Sequence, residues 1–546
     1  MRDLSEPAND ERLHADANVN KSVMKDPIKR KRPFLPKVRT GCTTCKIRKV
    51  KCDEAKPECN RCLSTGRKCD GYQHLPTSQS PSNESITLLH PDTNAFASQS
   101  ERRSFEFFRA VAGQGLGAYF NRPFWTQGVL RAATHYPSIR HLVIALGSAY
   151  ENFENEKTAS ADDQAVGKHF TLQQANQSIR LMRDLFQSAT AQGLSAENTS
   201  CIVTASILFT YIASLQGHFA QAIEHVRSGL KVLQDFEASS NLTSASTPYP
   251  VALRDLRRAL ISVYGQVRCM ISDEARTQWP RDVLVSDLET VTWFSSLSDA
   301  HSYVERLFLN MLAFLQNSEL NPPKTPEDHD AFQERKRDIL EALSSCKKAV
   351  DLLVSIKPLT PVEQGKEDGS GILILRVYLT IIEMRMGMNA LRPQDREARF
   401  DKLQPYLERI LDYCETIVNT NKNTSRPASS YSGLGIVMPL HTVAARCRKF
   451  ETRKRALDLL LTCSRRECMW DCVMTGKIAT NTYMLEQQAA MNAPKTTADG
   501  TTTVPDDYRV REVKIIFIGE RKARAEYVTV GNWKRNENGI GMIIQW

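Results

Sequence analysis

Residues 42–69 read CTTCKIRKVKCDEAKPECNRCLSTGRKC, and the cysteines of this stretch decide how it folds. The pattern C-x2-C-x6-C occurs twice within it, and the six cysteines are Cys42, Cys45, Cys52, Cys59, Cys62 and Cys69. A C-x2-C pair places two sulfurs about one turn apart, where both can bind one tetrahedral Zn(II). Each half offers three thiolates, one fewer than a closed structural zinc site uses.

Two zinc ions need more ligand positions than six sulfurs supply, so two sulfurs must bridge. We predict that the bridges are the first cysteines of the two halves, Cys42 and Cys59. Cys45 and Cys52 would complete one site, and Cys62 and Cys69 the other. Because the ligands are thiolates and no metal site exists before folding, we expect the fold of this segment to depend on zinc.

Other uses of six cysteines fit this chain less well. A disulfide framework is typical of small secreted domains, but residues 1–24 are polar and contain no apolar segment of a signal peptide. A RING-type or ribbon-type zinc site needs another ligand count or spacing, and no histidine lies between Cys42 and Cys69. The binuclear zinc interpretation therefore remains.

The residues between Cys45 and Cys52 indicate what the cluster is for. Four cations, Lys46, Arg48, Lys49 and Lys51, alternate there with Ile47 and Val50, which we expect to pack inward on the cluster. The second half has fewer charges and a central glycine. We predict that the first half forms a helix whose cations donate to guanine O6 and N7 in the DNA major groove.

The distribution of charge supports a nucleic-acid partner. Residues 25–70 hold 15 lysines and arginines but only 5 aspartates and glutamates, a balance that equals the formal net charge of +10 of the whole chain. A basic run is usually only a solvated face. A basic run joined to a metal-organised helix is typical of a DNA-binding module.

The segment TGCTTCKIRKVKC at residues 40–52, with its partner ending CDGY at 69–72, resembles the fungal Zn(II)2Cys6 binuclear-cluster transcription factors. The resemblance implies that Arg48 and Lys49 reach base edges, commonly of CGG-type triplets, and that Lys46 and Lys51 approach phosphates. It also implies that Pro57 matches the loop proline of the family, which is often cis.

Lys29, Arg30, Lys31 and Arg32 form a basic segment just before the cluster and read as a nuclear import signal. These cations can equally extend the phosphate contact, and both roles are compatible. Residues 1–28 are expected to be disordered, residues 29–39 to be the basic import segment, and residues 40–72 to form the zinc domain.

Residues 73–101 read as a disordered linker, because they are rich in Ser, Thr, Asn, Gln and Pro and contain no apolar heptad. Better-known members of the family dimerise through a coiled coil at this point. The alternatives for this chain are a single DNA half-site or a homodimer that forms through the large domain.

Residues 102–490 have helical apolar periodicity and predict a large all-α regulatory domain, a helical array. One stripe runs through Phe170, Leu172, Ala175, Ile179, Met182 and Leu185, and another through Phe219, Ile223, Val226, Leu230 and Leu233. Residues 199–217 are apolar nearly all round and predict a buried central helix. The late apolar stretch at 371–388 carries three charges, so we expect no membrane span.

This region resembles the helical regulatory domain found behind binuclear clusters in many fungal regulators. The matching stretches include SFEFFRA at 104–110, HLVIALGSAYENF at 141–153 and RRECMWD at 465–471. Relatives usually have glycine at the position of Cys468. The resemblance extends to regulators of secondary-metabolite gene clusters.

The tail, residues 491–546, is predicted to be a linker followed by a β-hairpin, because Val513, Ile515 and Phe517 alternate before a Gly519-Glu520 turn. The apolar residues 539–546 would pack on the helical domain, unless they are a gene-model artefact.

No enzymatic motif is convincing. Residues 113–118 fit G-x-G-x-x-A, but they follow a predicted helix rather than a strand. His218 and His225 lie on one predicted helix, and Cys463, Cys468 and Cys472 approach one another without a C-x2-C pair. We therefore expect a nuclear, sequence-specific regulator of RNA polymerase II transcription that binds double-stranded DNA and the transcription machinery. The alternatives are a ligand-sensing or scaffold helical protein that the cluster tethers to chromatin, and a zinc-bearing RNA binder.

Overall fold

A computed structural model describes residues 41–70, 96–117, 119–120, 122–192, 195–239, 250–270, 287–356, 367–388, 397–421, 429–492 and 504–546. The chain divides into two compact units between residues 82 and 83. The predicted disordered N-terminus, the basic segment with Lys29, Arg30, Lys31 and Arg32, and most of the predicted linker lie outside the described residues.

The first unit contains two short helices, α1 at Thr43–Ile47 and α2 at Asn60–Leu63. Each begins directly after a cysteine, Cys42 or Cys59, whose sulfur accepts a hydrogen bond from the backbone N–H three residues on. The two halves of the cysteine repeat therefore fold in the same local way.

The second unit is mainly helical, and the first helix in its described part begins at Gln99, within the segment predicted to be linker. Its helices are α3 Gln99–Phe107, α4 Gly113–Leu116, α5 Val129–His135, α6 Pro137–Glu154, α7 Ala161–Gln192, α8 Ala196–Leu215, α9 Phe219–Ser239, α10 Leu253–Met270, α11 Leu297–Leu320, α12 Pro326–Ile356, α13 Glu367–Met386, α14 Gln404–Asn421, α15 Val437–Arg446, α16 Phe450–Thr462, α17 Cys472–Asn492 and α18 Val530–Arg535. Two π-helical turns, Phe108–Ala112 and Phe124–Gly128, and two 3-10 turns, Ala398–Leu403 and Asp506–Tyr508, join some of them.

Helix α8 is the buried central helix that the sequence predicts. Every side chain from Thr199 to Leu215 except Phe209 is buried. Within the described ranges this is the one helix long and apolar enough to cross a membrane, and 83% of its most apolar window is buried inside the fold. Burial on all sides explains why its sequence is apolar all round.

The two predicted apolar stripes have different outcomes. In α9, Phe219, Val226, Leu230 and Leu233 are buried as predicted. In α7 the prediction is wrong for Leu172 and Ile179, which are 52% and 49% exposed.

Helix α7 departs from its predicted stripe because the face it buries is largely polar. Thr171, Gln174 and Ser178 are buried there. Thr171 Oγ1 donates to Ser148 Oγ of α6 at 3.0 Å, and Gln174 Nε2 donates to Glu101 Oε1 of α3 at 3.0 Å. Hydrogen bonds replace apolar contacts at this interface, so apolar periodicity could not locate it.

A small mixed sheet interrupts the region predicted to be entirely helical. Strand β1, Ser429–Tyr431, pairs in parallel with β2, Arg465–Glu467, which pairs antiparallel with β3, Trp470–Asp471. Strands of two or three residues carry too little sequence for a period of two to be recognised.

The tail forms a three-stranded antiparallel sheet in the order β4–β5–β6, with α18 between the last two strands. Strands β4, Val510–Gly519, and β5, Lys522–Thr529, form the predicted hairpin. Strand β6, Ile540–Gln545, was not predicted. The last residue packs on the helical domain, since the Trp546 ring lies 5.8 Å from the ring of Phe219.

Candidate metal centre and nucleic-acid interface

Six sulfurs gather in the first unit into two groups of four. One group is Cys42, Cys45, Cys52 and Cys59, the other is Cys42, Cys59, Cys62 and Cys69, and within each group all sulfurs lie within 4.8 Å of one another. Cys42 and Cys59 belong to both groups. These are the two sets that the spacing predicts, with the same shared pair.

The distances between sulfurs fit zinc. Cys42 Sγ lies 3.6 Å from Cys59 Sγ, and Cys45 Sγ lies 3.7 Å from Cys59 Sγ. Four sulfurs bound tetrahedrally at about 2.3 Å from one Zn(II) are about 3.8 Å apart. All six donors are thiols, which favour zinc over hard cations. The residues therefore fit two zinc ions.

Backbone N–H groups point at several of these sulfurs. Cys42 Sγ accepts from Cys45 N at 3.4 Å, and Cys59 Sγ accepts from Cys62 N at 3.3 Å. Cys52 Sγ accepts from both Cys42 N at 3.5 Å and Glu54 N at 3.4 Å. Such donors stabilise the negative charge of a thiolate and fix the direction of its lone pairs.

Burial controls the chemistry of the shared cysteines. Neither Cys42 nor Cys59 has accessible surface. Burial raises the pKa of Cys42 to about 12 and also raises the pKa values of Cys45 and Cys59. Without a metal these thiols keep their protons, and zinc displaces those protons when it binds.

Polar contacts brace the two halves against each other. Thr44 Oγ1 donates to Asp70 Oδ2 at 2.9 Å and accepts from Asp70 N at 2.9 Å. Asp53 accepts from Asn60 N at 3.0 Å and Arg61 N at 3.1 Å, which anchors the start of α2. The weak burial of Asp53 would raise its pKa, but these N–H donors hold the pKa below its usual range.

The loop between the halves contains a cis peptide bond at Lys56-Pro57, as the family resemblance implies. Gly41 is needed at the start of the unit, because a Cβ there would lie 2.9 Å from Cys52 Cβ. The bracing threonine and aspartates were missed in the sequence, where no spacing rule distinguishes them from ordinary polar loop residues.

The four predicted DNA-binding cations lie in and directly after α1. Lys46 is within the helix, Arg48 is its C-cap residue, and Lys49 follows in the left-handed region with φ 56°. Lys46, Lys49 and Lys51 are exposed, whereas Arg48 is half-buried. Arg48 Nη1 donates to Thr65 Oγ1 at 3.1 Å, so this side chain already has a partner in the second half.

One part of the predicted reading helix is wrong. Val50 packs against the sulfur cluster, but Ile47 is 74% exposed. The prediction placed Ile47 and Val50 three residues apart on one short helix. Because α1 ends at Ile47 and Lys49 reverses the chain, residues 47 and 50 do not share a face.

The glycine motif, the histidines and the late cysteines that the sequence offered as other candidate sites do not form binding or catalytic sites in the described part of the chain. Residues 113–116 are helical and follow another helical turn, so they are not a phosphate loop. The ring of His225 stacks on Phe209 at 5.0 Å, and burial lowers its pKa. The neighbouring Cys472 lowers the pKa of Cys463, whereas Cys468 lies beside Tyr211. Across the described residues, only the two cysteine groups of the first unit have metal-binding geometry.

Comparison with known proteins identifies the first unit. Residues 40–78 match the fungal Zn(2)-Cys(6) binuclear cluster domain. The aspercryptin biosynthesis cluster-specific transcription regulator atnN of Emericella nidulans is 25% identical over 547 residues, which cover 83% of this chain and 88% of that protein.

Two further relatives match over shorter regions. The transcription regulator lscL of Purpureocillium lilacinum is 28% identical over 38% of this chain and 51% of its own length. The Zn(2)-C6 fungal-type transcription factor afumD of Aspergillus fumigatus is 26% identical over 41% of this chain and 61% of its own. No solved structure matches.

Proposed function

We propose, from the match of residues 40–78 to the fungal Zn(2)-Cys(6) binuclear cluster domain, that this chain is a zinc-dependent DNA-binding regulator of transcription. The observation that carries the proposal is the pair of sulfur groups sharing Cys42 and Cys59, next to the cations of α1. Two zinc ions would fix the short helix that a peptide of this length could not maintain alone. Relatives named as transcription regulators support the same function and not an enzyme.

Lys49 and Arg48 are the proposed base-reading residues. Lys49 is exposed at the end of α1, where its ammonium is free to approach the O6 and N7 acceptors of guanine. Arg48 keeps one nitrogen on Thr65 and has further N–H donors for a base. Guanine contacts of this kind suit CGG-type triplets.

Lys46 and Lys51 are the proposed phosphate contacts, and both are exposed on either side of the base-reading pair. They would contribute affinity that falls with salt concentration and does not depend on sequence. Lys29, Arg30, Lys31 and Arg32 would direct the protein to the nucleus and so give it access to the RNA polymerase II machinery.

The regulated genes are proposed to belong to a secondary-metabolite pathway. The support is the similarity to the atnN regulator, which extends over 83% of this chain and so includes most of the helical unit. If the protein dimerises, we expect the helical unit to provide the interface, because the sequence between the units has no apolar heptad.

A binding experiment with matched charge changes tests the DNA-binding role. In the full-length zinc-loaded protein, Arg48→Ala with Lys49→Ala should weaken binding to a CGG-containing duplex by about 1–3 kcal/mol per lost base contact. Arg67→Ala with Lys68→Ala is the control, because it removes the same charge from two exposed positions of the second half. Fluorescence anisotropy at fixed salt would measure both affinities.

The readout that separates base reading from general charge is the ratio of affinities for CGG and scrambled duplexes. In the Arg48→Ala, Lys49→Ala variant this ratio should fall towards one. In the Arg67→Ala, Lys68→Ala control the ratio should be unchanged, because its affinities for the CGG and the scrambled duplex should fall by the same factor. Bound zinc, measured by atomic absorption, should stay at two ions per chain in both variants. Equal loss of the ratio in the two variants would contradict the assignment of Arg48 and Lys49.

A further inference from the structure

A cavity in the described part of the helical unit has a volume of about 670 Å³ and opens to solvent. It lies between the N-terminal half of α10, the first half of α11 and the segment from the second π-helical turn to α5. A volume of this size is within the range of small-molecule sites. No role in the DNA-binding function involves these residues.

One wall of the cavity is apolar and aromatic. Phe124, Phe294, Tyr303 and Leu309 line it, and Val251 adds an aliphatic surface. Val251, Tyr303 and Leu309 are themselves buried, so the wall is set by the packing of the core. Such a surface suits the hydrocarbon or ring part of a ligand.

The rim of the cavity carries more cations than its own acids neutralise. Arg257 pairs with Glu237, outside the cavity, at 2.6 Å, and Arg254 lies 3.7 Å from Asp255. Among the described residues, no carboxylate lies within ion-pair distance of the remaining lining cations, Arg131, Arg258 and Arg306. The cavity therefore presents positive charge beside an apolar wall.

Glu305 is one of three carboxyl groups that line this cavity, with Asp255 and Asp299. Glu305 accepts a hydrogen bond from Ser262 Oγ at 2.5 Å. Burial raises the pKa of Glu305 to about 7, with Ser262 and Arg258 opposing that rise. In its protonated form this carboxyl group can donate a hydrogen bond to a ligand oxygen and does not repel an anion.

We propose that this cavity binds an amphipathic organic anion. Its apolar body would lie against Phe124, Phe294 and Tyr303, and its acidic group would pair with Arg258, with Arg131 and Arg306 adding attraction. This site goes beyond the DNA-binding function and does not depend on it, because all its residues belong to the second unit.

The probe for the experiment is 1-anilinonaphthalene-8-sulfonate, an aromatic anion whose fluorescence rises in apolar surroundings. The full-length zinc-loaded protein should bind it saturably with one site per chain. Decanoate should displace it, whereas decanol, which has the same chain length without the charge, should displace it at least about tenfold less well, a difference of about 1.4 kcal/mol.

Two variants place the site. Arg258→Gln should weaken probe binding about tenfold, and Ala259→Trp, which puts a large ring at a lining position, should abolish it. Arg227→Gln is the matched control, because Arg227 lies on α9 beside Glu224, outside the cavity lining, and binding should stay within about twofold of wild type. Far-UV circular dichroism would check that each variant is folded.

Three results would overturn the proposal. One is binding without saturation or with many sites, which is typical of loosely packed protein rather than a defined site. Another is displacement by decanol as efficient as by decanoate, because the cations would then have no role. The third is unchanged probe affinity in folded Ala259→Trp, which would place the probe elsewhere.

Discussion

Cys468 occupies the turn between β2 and β3 with φ 49°, in the left-handed region. Residues with a Cβ adopt that conformation at a cost of about 1–2 kcal/mol, and glycine adopts it without steric cost. A glycine, which the resemblance to the helical regulatory domain implies at this position, would fit the turn without that cost. The cysteine side chain is fully buried and lies beside Tyr211.

Comparing Cys468→Gly with Cys468→Ala isolates the backbone cost. Both changes remove the thiol and its contact with Tyr211, but only glycine relieves the strain of the left-handed angle. We expect the glycine variant to be more stable than the alanine variant by about 0.5–1 kcal/mol, since its extra chain entropy offsets part of the gain. Urea unfolding followed by circular dichroism would measure the difference. Equal stabilities would mean that the turn relaxes around alanine.

For single residues, the spacing of the cysteines predicts which sulfurs share a zinc ion better than it predicts which neighbouring side chains are buried. The sharing of Cys42 and Cys59 follows from counting ligands, which needs only the number and order of cysteines. The exposure of Ile47 depends on where α1 ends, and that end is set by the left-handed angle of Lys49. A backbone reversal at a lysine has no recognisable signal in one sequence, because lysine seldom adopts it.

Among the elements, helix α15 depends on a buried carboxylate from β2. Glu467 accepts hydrogen bonds from Ile436 N and Val437 N, both at 2.8 Å, at the start of the helix. Arg465 pairs with Glu467, and both side chains are almost fully buried. The carboxylate therefore accepts hydrogen bonds from two N–H groups that have no acceptor within the helix, and its negative charge lies at the positive end of the helix dipole.

Gly435 lets this carboxylate approach the backbone. A Cβ at position 435 would lie 2.0 Å from Glu467 Cδ, so Gly435→Ala must displace the carboxylate or the helix. We expect a loss of about 1–3 kcal/mol or more in the free energy of unfolding, as overpacking of a buried site causes. Gly519→Ala is the control, because its nearest atom is 4.0 Å from the added Cβ. Urea titration should show little change in the control; comparable losses would contradict the clash.

The sequence could predict most of the helices but not the small sheet of β1, β2 and β3 that lies among them. Helices α8 and α9 have long apolar patterns from which a helix can be predicted. For α9 the pattern also predicts which face is buried. The pairing of β1 with β2 brings together residues 429–431 and 465–467, which α15 and α16 separate along the chain. Buried Arg466, which donates to Leu215 O at 2.8 Å and pairs with Asp471 at 2.7 Å, reads in the sequence as a surface charge.

On the scale of the whole second unit, the tail is part of the helical fold. Arg446 of α15 donates to the carbonyl of Arg511 in β4 at 2.9 Å and pairs with Glu397 at 2.6 Å. The ring of Phe517 stacks on Phe219, 5.1 Å away and almost 300 residues earlier in the chain. Local patterns predict the hairpin, but contacts between such distant segments leave no local trace. The packing of the tail therefore had to come from the structure.

Glu486 of α17 joins the helices to the tail. Its carboxylate accepts from Arg453 at 2.8 Å and Arg448 at 3.1 Å, and also from Val510 N of β4 at 3.1 Å. The side chain has no exposed surface. Burial alone would raise the pKa of Glu486, but Arg453 and Arg448 outweigh it and hold the pKa below its usual value.

Replacing Glu486 with glutamine should destabilise the whole second unit by about 3–5 kcal/mol at pH 7, because buried Arg453 loses its carboxylate partner. Arg448, which also lies near Glu397 and Asp401, loses one of its three carboxylate partners. A carboxyl group with a lowered pKa stabilises the fold above its unfolded pKa of about 4.3 and loses this contribution as pH falls through the folded value. The difference in the free energy of unfolding between wild type and the Glu486→Gln variant should thus stay constant from pH 7 to about 5 and narrow only below about pH 4.3.

Glu408→Gln is the control, because it breaks the exposed pair with Lys449 and should lower the free energy of unfolding by less than about 1 kcal/mol. Unfolding midpoints across this pH range would test the prediction, and a gap that widens as pH falls would contradict the role of the Glu486 charge.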